Sequence, residues 1–235
     1  MFVLGVDTAT DYAVVGVTAE DDVVRQVSIG PGPNGRPRHS EVLLGEIERS
    51  VEAAGGWPRI DRIAIGIGPG SFTGLRIGIA TVRALAQGHG LPLAPVGSLA
   101  ALARGISETG ARDGPALPVF DARRSEAFAA LFQGGEAEVW APFVAPPDEL
   151  AERVRQLDRA PLAAGDGALR FAAELEAAGA TVAPPENPMH RVAARHVCAA
   201  GEAAAEAPTD QVQPLYLRPP DAKRWRERDR GVPRG

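Results

Sequence analysis

A single cysteine, Cys198, and a single lysine, Lys223, are all that 235 residues contain of either type. One cysteine excludes an internal disulfide and argues against a cysteine-based zinc site. No apolar run approaches the length of a membrane span. The opening MFVLGVD stops at Asp7 without a basic leader, too short for a signal peptide, so a cytoplasmic setting is the expectation. The four histidines, His39, His89, His190 and His196, include no pair four positions apart, the spacing that puts two rings on one helix face for a metal. No metal or cofactor is therefore expected. The G-x-S-x-G nucleophile elbow is missing, and no lysine follows a glycine-rich turn as a P-loop requires. Cys198 lies in an alanine-rich helical run, where an inert buried thiol is the expectation.

What is present is globular in balance. Hydrophobic residues make up 45% and charged residues 23%, enough for a substantial core. The net charge of −5 gives no overall attraction to nucleic acid. The charge is unevenly placed, however. Residues 222–235 carry Lys223, Arg224, Arg226, Arg228, Arg230 and Arg234 against Glu227 and Asp229, a net of +4 on a body of −9. Such a tail either touches RNA phosphates or is a solvated, disordered end. With one lysine in the chain, abundant arginine reflects composition and is no phosphate-binding signal by itself.

The segment VLGVDTATDYAVVGVTAEDDVVRQ reads as three strands joined by polar turns, with rows of β-branched residues suited to antiparallel pairing. LPVFDARRSEAFAALFQGGEAEVW repeats that grammar, with Asp121 ending its first strand as Asp7 ends the earlier one. The two aspartates lie 114 positions apart, which reads as an internal duplication. Alternating helices and strands follow each set. Helices are expected over 40–54, 72–87 and 98–105, then 148–157, 168–178 and 190–207. Strands are expected over 62–68, 92–96, 160–164 and 181–183. This is an α/β protein of two domains with mixed sheets. The boundary falls near 105–115, giving 1–108, 109–220 and a basic tail, 221–235. The proline-rich stretch 214–220 is expected to cross back over the body.

In helix 40–54, Leu43, Leu44, Ile47, Val51 and Ala54 fall within about 100° of the wheel, the width of a buried stripe. The stretch GIGPGSFTGLRIGIATVRALA is the most informative. Gly68, Pro69 and Gly70 make a tight turn after a strand, and Ser71 or Thr73 caps the helix that follows. Such a turn is either purely structural or an anion contact at a helix N-terminus. On the helix, Gly74, Ile77, Gly78, Thr81 and Leu85 share one face, while Leu75, Ile79, Val82 and Ala86 share a second, read as nearly opposite. Only Arg76, Arg83 and Gln87 mark a polar stripe. A helix apolar on two sides needs cover on both, from its own chain or from another subunit.

GVDTAT, RHSEVLL, GIGPGSFTGLRIG, FDARRSEAF and PLYLRPP together resemble the TsaB (YeaZ) family over residues 5–220. The resemblance implies a duplicated actin-like ATPase and sugar-kinase-like fold. It implies a non-catalytic partner of a TsaD-like catalytic paralogue, with a TsaE-like ATPase as third member and tRNA reached through the complex. The reaction is threonylcarbamoyl transfer to the adenosine 3′ of the anticodon. A homodimer is expected when the partner is absent. The family's subunit contact maps onto 40–54 and 72–87, which nominates Leu43, Leu44, Ile47, Val51, Leu75, Arg76, Ile79, Val82 and Arg83, with Ile47 alternatively facing the chain's own sheet. In the wider superfamily, strand-ending aspartates orient a metal–phosphate ligand beside glycines that let the phosphate approach. Here Thr8-Ala9-Thr10 follows Asp7 and Ala122-Arg123-Arg124 follows Asp121, so the expected reading is a decayed nucleotide site with Asp7 holding turn amides. The alternative is an actin-like-fold ATPase or kinase. Asp166, in AAGDGALRF, is the remaining acid on the possible adenosine side.

Overall fold

A computed structural model of the chain describes residues 1–20, 22–109 and 114–218. The basic tail and residues 219–220 lie outside the described residues.

Three antiparallel strands open the chain: β1 (Phe2–Asp7), β2 (Ala13–Ala19) and β3 (Asp22–Ile29). Then come α1 (His39–Ala53), β4 (Arg62–Gly66), α2 (Phe72–His89), β5 (Leu93–Val96) and α3 (Ser98–Thr109). β4 joins β1 in parallel and β5 joins β4, giving the order β3-β2-β1-β4-β5. The succession then repeats with β6 (Pro115–Asp121), β7 (Ala127–Gln133), β8 (Ala137–Ala145), α4 (Pro147–Arg155) and β9 (Leu162–Ala164). The short helices α5 (Asp166–Arg170) and α6 (Ala172–Ala177), β10 (Thr181–Val182) and α7 (Ala194–Ala203) complete it. The second sheet runs β10-β9-β6-β7-β8, the same order read from its other edge. Two matching sheets in one chain are the duplication expected from the paired aspartates.

The pattern of burial explains the composition of the strands. β2 and β7 are apolar at almost every position because both of their faces are covered, whereas the edge strands β3 and β8 are largely exposed. The cover is exchanged between halves. α7, from the second repeat, packs on β1, β2 and β4 of the first sheet, and α3 packs on β6 and β7 of the second. The approach of α7 is close: a Cβ on Gly5 would lie 2.6 Å from Cys198 Sγ. One continuous core therefore joins Val3, Val14, Leu99, Leu102, Phe120 and Val197. The two sheets divide between β5 and β6, and this core joins them.

Several expected elements differ. The helix expected over 168–178 is two, because Phe171 at φ −111° interrupts it with its ring buried. The helix expected over 190–207 spans only Ala194–Ala203. Ahead of it lies a 3-10 turn, Pro188–His190, then extended backbone at Arg191 and Ala193. The buried His190 ring holds that turn: Nδ1 accepts the Gly165 N–H at 3.1 Å, and Nε2 lies 3.0 Å from the Ala183 carbonyl oxygen. β4 ends at Gly66 rather than 68, and β8 is nine residues long.

Candidate functional site in the cleft and on the paired helices

Asp7 ends β1 and turns inward. Its Oδ1 accepts the Ala9 N–H at 2.8 Å, and its Oδ2 accepts the Ser98 hydroxyl at 2.5 Å. Ser98 Oγ accepts the Gly68 N–H at 3.1 Å in turn. A Cβ on Gly66 would fall 1.8 Å from Asp7 Oδ2, so only glycine lets β4 pass the carboxyl. Burial pushes the Asp7 carboxyl above the usual carboxylate range, opposed by the bonds from Ser98 and Ala9. All of its neighbours are structural. Asp7 holds a turn amide, as expected from its sequence context, and Ser98 is spent on Asp7.

The Gly68–Ser71 turn is equally occupied. Gly68 takes φ 99°, a left-handed backbone that favours glycine. Ser71 is the cap of α2 and accepts the Gly74 N–H at 3.2 Å, while its own N–H goes to the Ala9 carbonyl at 2.7 Å. Thr73 stays exposed. Thr8 Oγ1 donates to the Gly74 carbonyl at 2.8 Å, and a Cβ on Gly74 or Gly78 would come within 2.2 Å of Thr8. The helix glycines exist so that the loop after β1 can lie on the helix. His39 is buried at the start of α1, with Nε2 donating to the Thr10 carbonyl at 3.0 Å.

The expected contact side chains divide. Leu43, Ile47, Val51, Ile79 and Val82 are buried in the chain's own core with Leu4, Val6, Ile63 and Ile65, and Leu75 is buried in the core shared between the halves, with Val3 and Val14. The two apolar stripes of α2 are adjacent, not opposite. One lies on the sheet, and the glycine stripe lies on Thr8 and α1. These six side chains are thus corrected from contact surface to core. Leu44 departs from its stripe and is 55% exposed. Arg76 is exposed and Arg83 half-buried. Around them lie the exposed Phe72, Ala80 and Ala84 and the half-buried Val42, Ile77 and Leu85, a small-residue apolar surface that the wheel did not separate from the core. The polar stripe is narrow because alanine fills positions 80 and 84.

Between the halves lies a cavity of about 650 Å³ lined by the loops at 9–11, 70–73, 121–124 and 215–218. Its charges are largely paired. Arg170 Nη1 meets both Asp121 oxygens, at 2.7 and 2.8 Å, and Arg123 Nη2 meets both Asp11 oxygens, at 3.0 and 2.9 Å. Asp166 Oδ1 accepts the N–H groups of Asp121 and Gly167 at 3.1 and 3.0 Å. The C-terminal segment crosses the mouth as expected for 214–218. The Leu215 N–H donates to the Ile67 carbonyl at 2.8 Å, and Tyr216 Oη accepts from Arg76 Nε at 3.1 Å. Arg218 bonds the Ala122 carbonyl and reaches Glu126 at 3.1 Å. Asp11, Arg170, Tyr216 and Arg218 were not singled out by sequence, and Arg123 only as a residue standing where a glycine would let a phosphate approach. The only signal was their presence near quoted motifs. No group of three His, Cys, Asp or Glu residues is arranged for a metal among the described residues. Cys198 is buried with its thiol pushed up to about 11 by that burial, and donates to the Val3 carbonyl at 3.3 Å.

Comparison with known proteins decides the family. Residues 33–142 match the family profile described as TsaD: tRNA N6-adenosine threonylcarbamoyltransferase. The Escherichia coli tRNA threonylcarbamoyladenosine biosynthesis protein TsaB is 31% identical over 173 residues, covering 71% of this chain and 72% of that one. The chain belongs to the TsaB family. The structure of YeaZ from Pseudomonas aeruginosa superposes with a TM-score of 0.75 at 25% identity, over 92% of this chain and 99% of that one. A ROK hexokinase from Thermus thermophilus superposes with a TM-score of 0.51 over 86% of this chain and 99% of that one. At 16% identity it shows the fold alone, the duplicated actin-like and sugar-kinase-like architecture. In this TsaB-family chain the GPGSFTGLRIG motif is explained by packing: its turn, cap and helix glycines fit α2 against the loop that follows β1.

Proposed function

We propose that the chain is a partner subunit in threonylcarbamoyladenosine synthesis on tRNA, activating a TsaD-like catalytic paralogue and carrying no chemistry of its own. The observation that carries this reading is the likeness to TsaB of Escherichia coli over most of both chains. The state of the polar groups supports it. The carboxyl beside the motif turn is sealed by Ser98 and Ala9, the Asp121 carboxylate is held by arginine, Ser71 caps a helix and the one thiol is buried. A TsaE-like ATPase completes the assembly, tRNA is reached through the complex, and the chain alone pairs with itself.

The contact surface in this reading is the outer side of α1 and α2, centred on Leu44, Ala80, Ala84 and half-buried Ile77 and Leu85, with Arg76 and Arg83 at its rim. Burying a leucine such as Leu44 is worth roughly 1.5–3 kcal/mol, and small residues at 80 and 84 let a partner helix approach closely. The test is co-purification with the paralogue. Leu44→Asp and Ala80→Arg should each fold and lose the partner. Retention of the partner by both folded variants would remove this surface from the proposal. The cavity between the halves is the observation that keeps an ATPase reading in view. Micromolar ATP binding with turnover by the isolated chain would favour it over the partner role.

A further inference from the structure

The two halves are held together differently at the two ends of the cleft. At its base, α3 and α7 are exchanged between sheets and share one apolar core. At its mouth, the turn after β1 faces the equivalent turn after β6; charge joins the two turns directly, and residues 215–218 cross beside them, bonding Ile67 and Arg76 on the first half and Ala122 and Glu126 on the second. Arg123 Nη2 lies 3.0 and 2.9 Å from the two carboxylate oxygens of Asp11, and its Nη1 lies 3.3 Å from Asp121 Oδ2. Asp121 is itself fixed by Arg170 Nη1 at 2.7 and 2.8 Å. The guanidinium therefore bridges one carboxylate from each repeat, and a second arginine anchors the far end of the chain of charges. Its backbone is committed to this placement, since Arg123, Arg124 and Ser125 all take positive φ, at 62°, 53° and 57°.

We propose that Arg123 is a latch: by bridging Asp11 and Asp121 it keeps the mouth of the cleft closed over the cavity, with the exchanged helices at the base as the hinge. A positive charge placed between two carboxylates holds them together, and a connected set of pairs holds better than an isolated surface pair. The latch sets how far the N-terminal end of α2, on the first half, stands from the turn after β6, and so sets the width of the cavity.

Paired spin labels on the full chain test this. Ser28→Cys and Glu176→Cys place one label on an exposed residue of each half, and buried Cys198, with its thiol at about 11, resists labelling. Distances are measured by double electron–electron resonance, with labelled chains diluted in unlabelled ones. The otherwise unmutated chain is expected to show one narrow distribution. Arg123→Gln should enlarge a longer-distance population about threefold to fivefold, and Asp11→Asn should reproduce that effect from the other half. Arg123→Lys should return most of the short-distance population. Sodium chloride at about 1 M should move the unmutated latch toward the Arg123→Gln distribution and leave Arg123→Gln unchanged. Identical distributions for the unmutated latch, Arg123→Gln and Asp11→Asn at both salt concentrations would overturn the proposal, as would a shift in Arg123→Gln that Arg123→Lys fails to reverse.

Discussion

Asp7 shows how a residue type that elsewhere carries chemistry is made structural. Its two oxygens take one amide and one hydroxyl, and Gly66 closes the remaining space. Asp7→Ala is expected to lose about 2–4 kcal/mol of stability, because it leaves the buried Ser98 hydroxyl and the Ala9 amide without their acceptor. Denaturant unfolding measures this. Gly78→Ala should cost about 1–3 kcal/mol by overpacking, since its methyl would meet Thr8 Oγ1 at 2.2 Å. Histidine and glutamate set the acid limit. Burial lowers the His39 and His196 pKa values, against the opposing bonds from Thr10 and Glu108. A histidine whose folded pKa lies below its unfolded value contributes stability above that unfolded value, and the contribution falls as pH drops through it. Burial pushes Glu46 and Glu108 upward, but Arg25 and Arg49 around the first, and His196 and Arg195 around the second, outweigh it and hold both below the usual range. Their contribution is present above the unfolded glutamate value and is lost as pH falls through the lowered ones. Burial raises Asp7 and Asp166, which act the other way from the glutamates as pH falls, so the histidine window is the clean one: thermal melts should decline between neutrality and about pH 5. A flat profile across the upper window would contradict the histidine assignment.

At the scale of elements, the proposed recognition surface lies on α1 and α2. Leu44→Asp should leave stability within about 0.5 kcal/mol of the parent, whereas Ile47→Asp should fail to fold, because Ile47 is fully buried where α1 packs on β2 and β3. Circular dichroism separates the two before any binding is measured. This contrast marks the limit of what helical periodicity conveys. The wheel grouped Leu44 with Leu43 and Ile47, although Leu44 faces solvent, because alanine, leucine and valine serve equally in a core and in a protein contact. The opposite error occurred on α2, whose second apolar stripe lies on its own sheet. The motif turn, its serine cap and the glycine face were legible because each requires a particular residue type at a particular place. The break at Phe171 and the late start of α7 were not, since alanine-rich sequence favours helix and the interruptions come from tertiary contacts of Phe171 and His190.

For the whole molecule, the repeat was readable from two aspartate-ended strands, and its matching sheet orders bear it out. The exchange of α3 and α7 was not, because sequence order says nothing about which sheet a terminal helix covers. Nor was the pairing of Asp11 with Arg123, 112 positions apart. The exchange has a direct consequence: residues 1–109 alone would expose the face of the first sheet that α7 covers. That fragment is expected to show no cooperative unfolding transition, while the full chain melts as one unit. Among the described residues no helix is long and apolar enough to cross a membrane. The charged tail, beyond the described residues, is open to a separate test: truncation after Asp221 should leave complex-dependent tRNA modification and its salt sensitivity unchanged.

Reconstitution with the TsaD-like paralogue, the ATPase and tRNA, measuring threonylcarbamoyladenosine formed with and without this chain, tests the central claim most directly. Modification should require the chain and the paralogue together, and Leu44→Asp should abolish it while preserving the fold. Equal modification without the chain, or modification by the chain in the paralogue's absence, would contradict the partner role.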